Sequence, residues 1–233
     1  MELDLSSAAF WIAVGQIILI DIVLSGDNAV VIALACRSLS PEQRRQGIFW
    51  GVAGAVILRV ILTIFAALVM NLPWLKFVGA LLLIWIAIKL MLPEDEEGPE
   101  INPSSHLWGA VKTIIVADFV MSLDNVIAVA GAAHGSLALL LFGLAVSIPL
   151  IVWSSQLILH WMERWPSIVL FGAGLLGYVA GQMLLTDPGL LDLLPPMPLW
   201  APKAAGAVGA LLVVGVGRWM EQRILARQDV TIV

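Results

Sequence analysis

Seven long apolar stretches dominate this chain and restrict it to folds in which helices cross a lipid bilayer. Each is close to the ~20 residues that an α-helix needs to cross roughly 30 Å of hydrocarbon. With 61% hydrophobic and 12% charged residues, the chain cannot present an ordinary soluble surface. The sequence therefore predicts an all-α, polytopic membrane protein with seven transmembrane helices, surrounded by lipid. The seven predicted spans are 8–35, 47–70, 73–92, 107–132, 136–159, 166–185 and 203–225.

Lysine and arginine residues give these spans an orientation, because in short loops they favour the cytoplasmic side of the membrane. If the amino terminus lies outside and the carboxyl terminus lies in the cytoplasm, only Lys76 and Lys203 face outside. The basic region of a cleaved signal peptide is missing, so the first stretch is expected to be retained as a span. The residues then on the cytoplasmic side are Arg37, Arg44, Arg45, Lys89, Lys112, Arg164, Arg218, Arg223 and Arg227.

Charge and cysteine content exclude several classes of function. The net charge of −5 owes much to an acidic segment at 94–100, which is predicted to be a solvated loop, so no nucleic-acid partner is expected. The single cysteine, Cys36, excludes an internal disulfide. The three histidines are scattered singly, so the sequence has no Cys/His zinc pattern. We expect no prosthetic group.

Two spans carry the same polar motif, D-x3-S-x-D-N, within apolar surroundings. A carboxylate at the bilayer centre costs roughly 2.5–3.5 kcal/mol on insertion scales, so each copy needs a partner that offsets this cost. The hydrogen bonds that polar residues form between membrane helices usually return less, about 1 kcal/mol. The motif therefore predicts a cation site near the midplane. Its residues are Asp21, Ser25, Asp27, Asn28, Asp118, Ser122, Asp124 and Asn125.

The spacing of the motif raises a geometric question. On a regular helix Asp21 and Asn28 share one face, whereas Asp27 lies about 120° away from Asp21. One ion can use both aspartates only if the helix is locally unwound or the second aspartate faces a neighbouring helix. We predict broken or bent helices at 25–26 and, in the second copy, at 122–123.

The two copies also predict an internal symmetry. Three spans separate their starts, and an odd number of crossings reverses the second copy in the membrane. Residues 79–85 of the third span resemble residues 172–178 of the sixth. The sequence therefore predicts two inverted three-helix repeats, about 8–92 and 107–185, an arrangement in which transporters bind substrate where the repeats meet.

The predicted repeats form a transport core, 1–185, followed by 186–233, which comprises an outer loop, the seventh helix and a cytoplasmic tail. Glycines in the seventh span are compatible with close packing against another helix, either within the chain or across a homodimer. These glycines are Gly206, Gly209, Gly215 and Gly217.

Oxygen donors narrow the choice of cation. Carboxylate, amide and hydroxyl oxygens suit Mg²⁺, Ca²⁺ or Mn²⁺. We assign Asp21 and Asp118 as primary ligands and expect amide oxygens from the two motif asparagines. The second aspartates, Asp27 and Asp124, either complete the shell or shuttle protons as a coupling ion. Arg59, near the middle of the second span, either neutralises one aspartate when no substrate is bound or acts as a gate.

The paired motifs, the span count and the short length resemble the TerC family of integral membrane proteins, particularly its compact YjbE-like branch. The resemblance implies a seven-helix fold related to the LysE transporter superfamily and a place in the bacterial inner membrane. It also implies export of Mn²⁺ or a similar divalent ion, with the eight motif residues as the site. Alternating access around that site is the mechanism we expect.

Two other functions use the same residues. A membrane factor that delivers metal to exported or membrane proteins would need the same site. An intramembrane aspartic protease would use one pair of aspartates. The protease has no use for two complete motif copies, and the Gly-x-Gly-Asp signature expected of it is missing here, so we expect that the chain is not an enzyme.

Overall fold

The computed structural model describes residues 8–69, 72–92, 103–132 and 137–231, and within these ranges the chain is helical, with no strand. The acidic segment 94–100 lies outside the described residues. The helices are α1 (Ala8–Cys36), α2 (Pro41–Ile64), α3 (Ala66–Val69), α4 (Leu75–Met91), α5 (Pro103–Ala132), α6 (Leu137–Arg164), α7 (Ser167–Leu185), α8 (Pro188–Leu191) and α9 (Ala201–Thr231).

Several of these helices are long and apolar enough to cross a membrane. Five segments in the described part of the chain meet both criteria, and they lie in α2, α5, α6, α7 and α9. In α1 the described apolar stretch is Gly26–Cys36, and α4 has 17 residues. The prediction of an all-α membrane protein is therefore confirmed, whereas the count of seven spans stays a prediction.

Helix α2 begins six residues before the predicted second span because of a capping signal that the hydropathy pattern does not contain. The Ser40 side chain accepts a hydrogen bond from the backbone N–H of Gln43 at 3.4 Å, and Pro41 occupies the first helical position. Proline is favoured there because its missing N–H would have no partner inside the helix. Ser40 to Gln43 has the serine and glutamine spacing of a capping box, so the sequence contained the signal for this start.

The motif helices are not broken at the predicted positions, and the alternative of a bend there stays a prediction. Helix α1 is continuous through Ser25 and Gly26, and helix α5 is continuous through Ser122 and Leu123. The physical reason is the cost of unpaired backbone groups in lipid, where each N–H and C=O needs a partner inside its own segment. A glycine permits unwinding but does not require it.

The chain forms two compact units. One contains α1, α2, α3, α5 and the part of α6 that ends at Trp161, and the other contains α4, α7, α8 and α9. Each unit takes helices from both predicted repeats. The predicted division into a transport core and a carboxyl-terminal segment, and the inverted relation of the repeats, stay predictions.

In the first unit, α2 packs on α5 through glycines. A Cβ atom at Gly51 would lie 2.6 Å from Ile114 Cδ1, and one at Gly54 would lie 2.5 Å from Ile115 Cδ1. Small residues therefore let the two helices approach closely. Further along α2, Arg59 contacts Asp118 of α5. Because later residues of α2 contact later residues of α5, the two helices run in the same direction.

In the second unit, α7 packs on α9 with almost no side chain between the backbones. A Cβ atom at Gly177 would lie 2.6 Å from the Gly209 carbonyl oxygen, and one at Gly181 would lie 2.9 Å from Gly206 Cα. The spacing of Gly177 and Gly181 is the small-xxx-small pattern of membrane helix pairs. Gly217 lies against Met91 of α4. Three of the four predicted packing glycines thus face helices of the same chain, while a Cβ atom at Gly215 would meet nothing within 4 Å.

Asp187 is a buried carboxylate that sequence reasoning did not select. Its oxygens accept hydrogen bonds from the backbone N–H groups of Trp74 at 3.0 Å, Phe77 at 3.2 Å and Leu190 at 3.2 Å. Trp74 has a φ of 68°, a left-handed conformation that is unfavourable for a residue with a side chain. The carboxylate therefore satisfies the amino-terminal ends of both α4 and α8 and offsets that strain. The signal was an aspartate directly before Pro188, which is a helix-start pattern.

We expect Asp187→Asn to lower the free energy of unfolding by about 1–3 kcal/mol. An amide offers one acceptor oxygen, so its NH₂ group would face a backbone N–H in place of the second carboxylate oxygen. Unfolding in detergent micelles, followed by circular dichroism, measures the difference. Asp192→Asn is the matched control because Asp192 is exposed in the same segment. Equal stability of the two variants would contradict this role for Asp187.

Candidate functional site

A small cavity inside the first unit brings together residues from α1, α2, α5 and α6. Its volume is about 20 Å³, and its polar lining residues are Asn28, Arg59 and Asp118. The remaining lining residues are apolar, and Ile151 contributes the wall from α6. A space of this size holds about one water molecule. The cavity is therefore suited to a single small guest.

A buried ion pair crosses the cavity from α2 to α5. Arg59 Nη2 lies 2.5 Å from Asp118 Oδ1, and the two residues are 4% and 5% exposed. Ser122 Oγ accepts from Arg59 Nε at 3.2 Å and donates to Asp118 Oδ2 at 3.1 Å. Each partner offsets the desolvation cost of the other, and the hydroxyl holds both in place.

Helical spacing explains how these three side chains meet. Ser122 follows Asp118 by one turn, so both side chains project from the same face of α5. Ile114 lies one turn earlier on that face, where it contacts Gly51 of α2. The glycine contact brings the helices close enough for Arg59, two turns beyond Gly51, to reach the carboxylate.

Asn28 has a buried side-chain amide that forms no hydrogen bond with the described residues. Its side chain is 4% exposed, and neither the amide oxygen nor the amide nitrogen has a hydrogen-bond partner among the described residues. Burial of an amide without a partner costs free energy, commonly about 1–3 kcal/mol. This residue lines the same cavity as the ion pair, so the cavity contains a polar group that a bound water molecule or ligand can satisfy.

The other predicted site residues divide into two groups. Asp27 is half-buried, accepts a hydrogen bond from the Asn28 backbone N–H at 2.9 Å, and interacts electrostatically with Arg59 and Asp118. Asn125 is half-buried on α5. The backbones of Asp21, Ser25 and Asp124 are helical, but their side chains lie outside the described residues.

The two motif copies therefore meet at one cavity. Asn28 from the first copy and Asp118 from the second copy both line it. Within the described side chains there is no group of three or more Asp, Glu, His or Cys residues that could hold a metal ion. Asp118 uses two of about four acceptor positions on its carboxylate for the described donors. It can therefore accept a further partner, and the Asn28 amide oxygen can contribute beside it.

A comparison with known protein families identifies the chain. The model described as "Integral membrane protein TerC family" matches residues 6–224, which is nearly the whole sequence. The chain belongs to the TerC family. The resemblance predicted from the duplicated motif is confirmed.

This TerC protein is similar to membrane proteins of several bacteria. It is 45% identical over 171 residues to the membrane protein YjbE of Bacillus subtilis strain 168, covering 73% of this chain and 78% of the relative. It is 28% identical over 193 residues to the inner membrane protein YgdQ of Escherichia coli K12, covering 75% and 81%. YceF of Bacillus subtilis is 27% identical over 188 residues, covering 77% and 73%. No solved structure matches the chain significantly.

The apolar wall of the cavity in this TerC protein was not predicted from its sequence. Val52, Ile114 and Ile151 lie in spans that are apolar throughout, so their hydropathy does not distinguish a cavity wall from a lipid-facing surface. The polar residues were detectable because each is costly in a membrane.

Proposed function

We propose that this TerC protein transports a divalent metal cation, and that Mn²⁺ export by alternating access is its activity. The observation that carries the proposal is the Asn28 amide, buried without a described partner in a small cavity beside the Asp118 carboxylate. Amide and carboxylate oxygens are hard donors, and a divalent ion bound between them would be coordinated by both.

The proposal extends to the other motif residues and to the arrangement of the spans. Asp21 joins Asp118 as a primary ligand, Asn125 adds a second amide, and Asp27 and Asp124 complete the shell or carry protons. Seven spans form two inverted repeats that expose the site alternately to the cytoplasm and to the outside. The amino terminus lies outside the bacterial inner membrane, and the carboxyl terminus lies in the cytoplasm. No step of this cycle makes or breaks a covalent bond of a substrate, so we propose a transporter and not an enzyme.

Flux measurements in reconstituted vesicles test the proposal. Vesicles containing the purified protein and an internal metal-sensitive dye are exposed to Mn²⁺, Mg²⁺, Ca²⁺, Zn²⁺ or Fe²⁺, with and without an imposed pH gradient. We expect Mn²⁺ entry well above that of protein-free vesicles, and slower entry when Asp21→Asn or Asp118→Asn is introduced. Wild-type protein that moves none of the five ions faster than protein-free vesicles would overturn the proposal.

Asn28→Leu gives the sharpest test of the site itself. Leucine has a similar size and removes an unpaired buried amide, so stability is expected to be unchanged or higher. Loss of a ligating oxygen is expected to slow Mn²⁺ flux by at least about tenfold. Ile32→Leu is the matched control, because Ile32 lines the same cavity one turn further along α1 and the substitution conserves volume. An Asn28→Leu protein that transports at the wild-type rate would remove Asn28 from the site.

A further inference from the structure

Arg59 places a positive charge where the substrate cation of the proposed function would bind. Its Nη2 atom contacts Asp118 Oδ1 at 2.5 Å, and its Nε atom contacts Ser122 Oγ at 3.2 Å. The guanidinium is held on a side chain of α2, so it can leave the carboxylate only as far as its own chain permits. Arg59 is therefore a tethered cation at a cation site.

The size of the cavity sets up a competition. About 20 Å³ is room for roughly one water molecule, and Arg59, Asp118 and Asn28 share its lining. A divalent ion that coordinates both Asp118 and the Asn28 amide would share this small space with the guanidinium that contacts Asp118 Oδ1. Two positive groups bound to one carboxylate in so small a cavity also repel each other strongly, because the surroundings have a low dielectric constant. Arg59 and the substrate ion therefore cannot contact Asp118 in the same way at the same time.

We infer that Arg59 is an internal counter-ion that replaces the substrate cation at Asp118, so that the carrier can return across its cycle without substrate. This inference rests on the proposed function. A carrier that has released its ion would otherwise have to reorient with a bare carboxylate in the membrane interior, which is unfavourable. With the guanidinium against Asp118 the pair is neutral, and the arriving ion displaces it.

The inference separates two kinds of flux. Net transport requires the carrier to return empty, and this step depends on the counter-ion. Exchange of an external ion for an internal one returns the carrier loaded, and this process does not need it. Loss of the charge at position 59 should therefore slow net flux much more than exchange.

The experiment compares these fluxes in vesicles for wild type, Arg59→Gln and Arg59→Lys. Net flux is the entry of radioactive Mn²⁺ into metal-free vesicles, and exchange is its entry into vesicles loaded with unlabelled Mn²⁺. We expect Arg59→Gln to lower the ratio of net flux to exchange on the order of 100-fold, the factor that corresponds to one unneutralised carboxylate at the bilayer centre. Arg59→Lys, which keeps a tethered charge, is expected to restore most of the ratio.

The outcomes distinguish this inference from the proposed function. Wild-type protein with neither flux would refute the function. Wild-type protein with both fluxes, together with Arg59→Gln protein that keeps the wild-type ratio, would refute only the role of Arg59. Net flux and exchange that fall by the same factor in Arg59→Gln would also refute it, since a merely structural residue would slow both equally.

A second measurement keeps the inference testable if Arg59→Gln does not fold. Infrared difference spectra of wild-type protein, with arginine labelled with ¹⁵N, are recorded on addition of Mn²⁺. Displacement from Asp118 is expected to shift a guanidinium band that is missing from the spectra of Arg59→Lys. If the wild-type guanidinium bands stay unchanged when Mn²⁺ saturates the protein, the ion does not displace Arg59 and the inference is wrong.

Discussion

Asp118→Asn alone is expected to lower the free energy of unfolding by about 3–5 kcal/mol. The substitution removes the Asp118 charge from its ion pair with the Arg59 guanidinium, which is 4% exposed in a cavity with mostly apolar walls. The Asn side chain can still accept one hydrogen bond but carries no charge. Unfolding by a denaturing detergent, followed by circular dichroism, measures the change, with the exposed Asp192→Asn as a control for loss of a carboxylate.

The double variant Arg59→Met with Asp118→Leu is expected to recover the stability that Asp118→Asn loses. Replacement of a buried ion pair by apolar residues of similar volume is often neutral or stabilising by about 1–4 kcal/mol. The same variant should show no Mn²⁺ flux, because it has neither the ligand nor the counter-ion. Recovery of stability with loss of flux would show that the pair is retained for function. A double variant less stable than Asp118→Asn would contradict this, and the pair would then be structural.

Gly209→Val on α9 is expected to be strongly destabilising to the second unit. A Cβ atom at Gly209 would overlap the Gly177 carbonyl oxygen and lie 3.2 Å from Gly181 Cα. These neighbours are backbone atoms of α7 and cannot rotate away, so the helices must separate. Overpacking commonly costs about 1–3 kcal/mol, and we expect a loss at the upper end of that range.

Gly215→Val provides the matched control on the same helix. A Cβ atom at Gly215 would meet nothing within 4 Å, so valine there should change stability by less than about 0.5 kcal/mol. Both variants undergo the same change in helix propensity. The difference between them, measured by thermal unfolding in one detergent, therefore isolates the packing of α7 on α9. Equal effects of the two substitutions would contradict this packing.

Much of the helical architecture was predictable because the bilayer leaves few alternatives. An apolar stretch of about 20 residues must satisfy its backbone internally, so hydropathy alone locates helices such as α7, which begins at Ser167 and ends at Leu185. Helix starts were predicted less well, as at Pro41, where a capping hydrogen bond and not hydropathy decides the boundary. The glycines of α9 were recognised as packing residues, but their partner helix was left open.

The candidate site was predictable to the extent that its residues are costly in lipid. Asp118, Arg59 and Asn28 attracted notice because a charge or amide in an apolar span needs an explanation. Which aspartate Arg59 would contact could not be derived, since that depends on the closeness of α2 and α5 at Gly51 and Gly54. Asp187 was missed because it lies in a connecting segment, where a carboxylate is unremarkable until its three backbone donors are known.

The sequence by itself determined that this chain is embedded in a membrane and where its long helices lie. It also determined that two spans carry matched acidic motifs. Those properties follow from the transfer of each residue into hydrocarbon, which depends on composition and spacing alone. Only the tertiary structure decided that Arg59 neutralises Asp118 through a contact shared with Ser122, and that Asn28 keeps a buried amide without a described partner. Those properties depend on distances between helices, which side-chain packing sets and which no single span encodes.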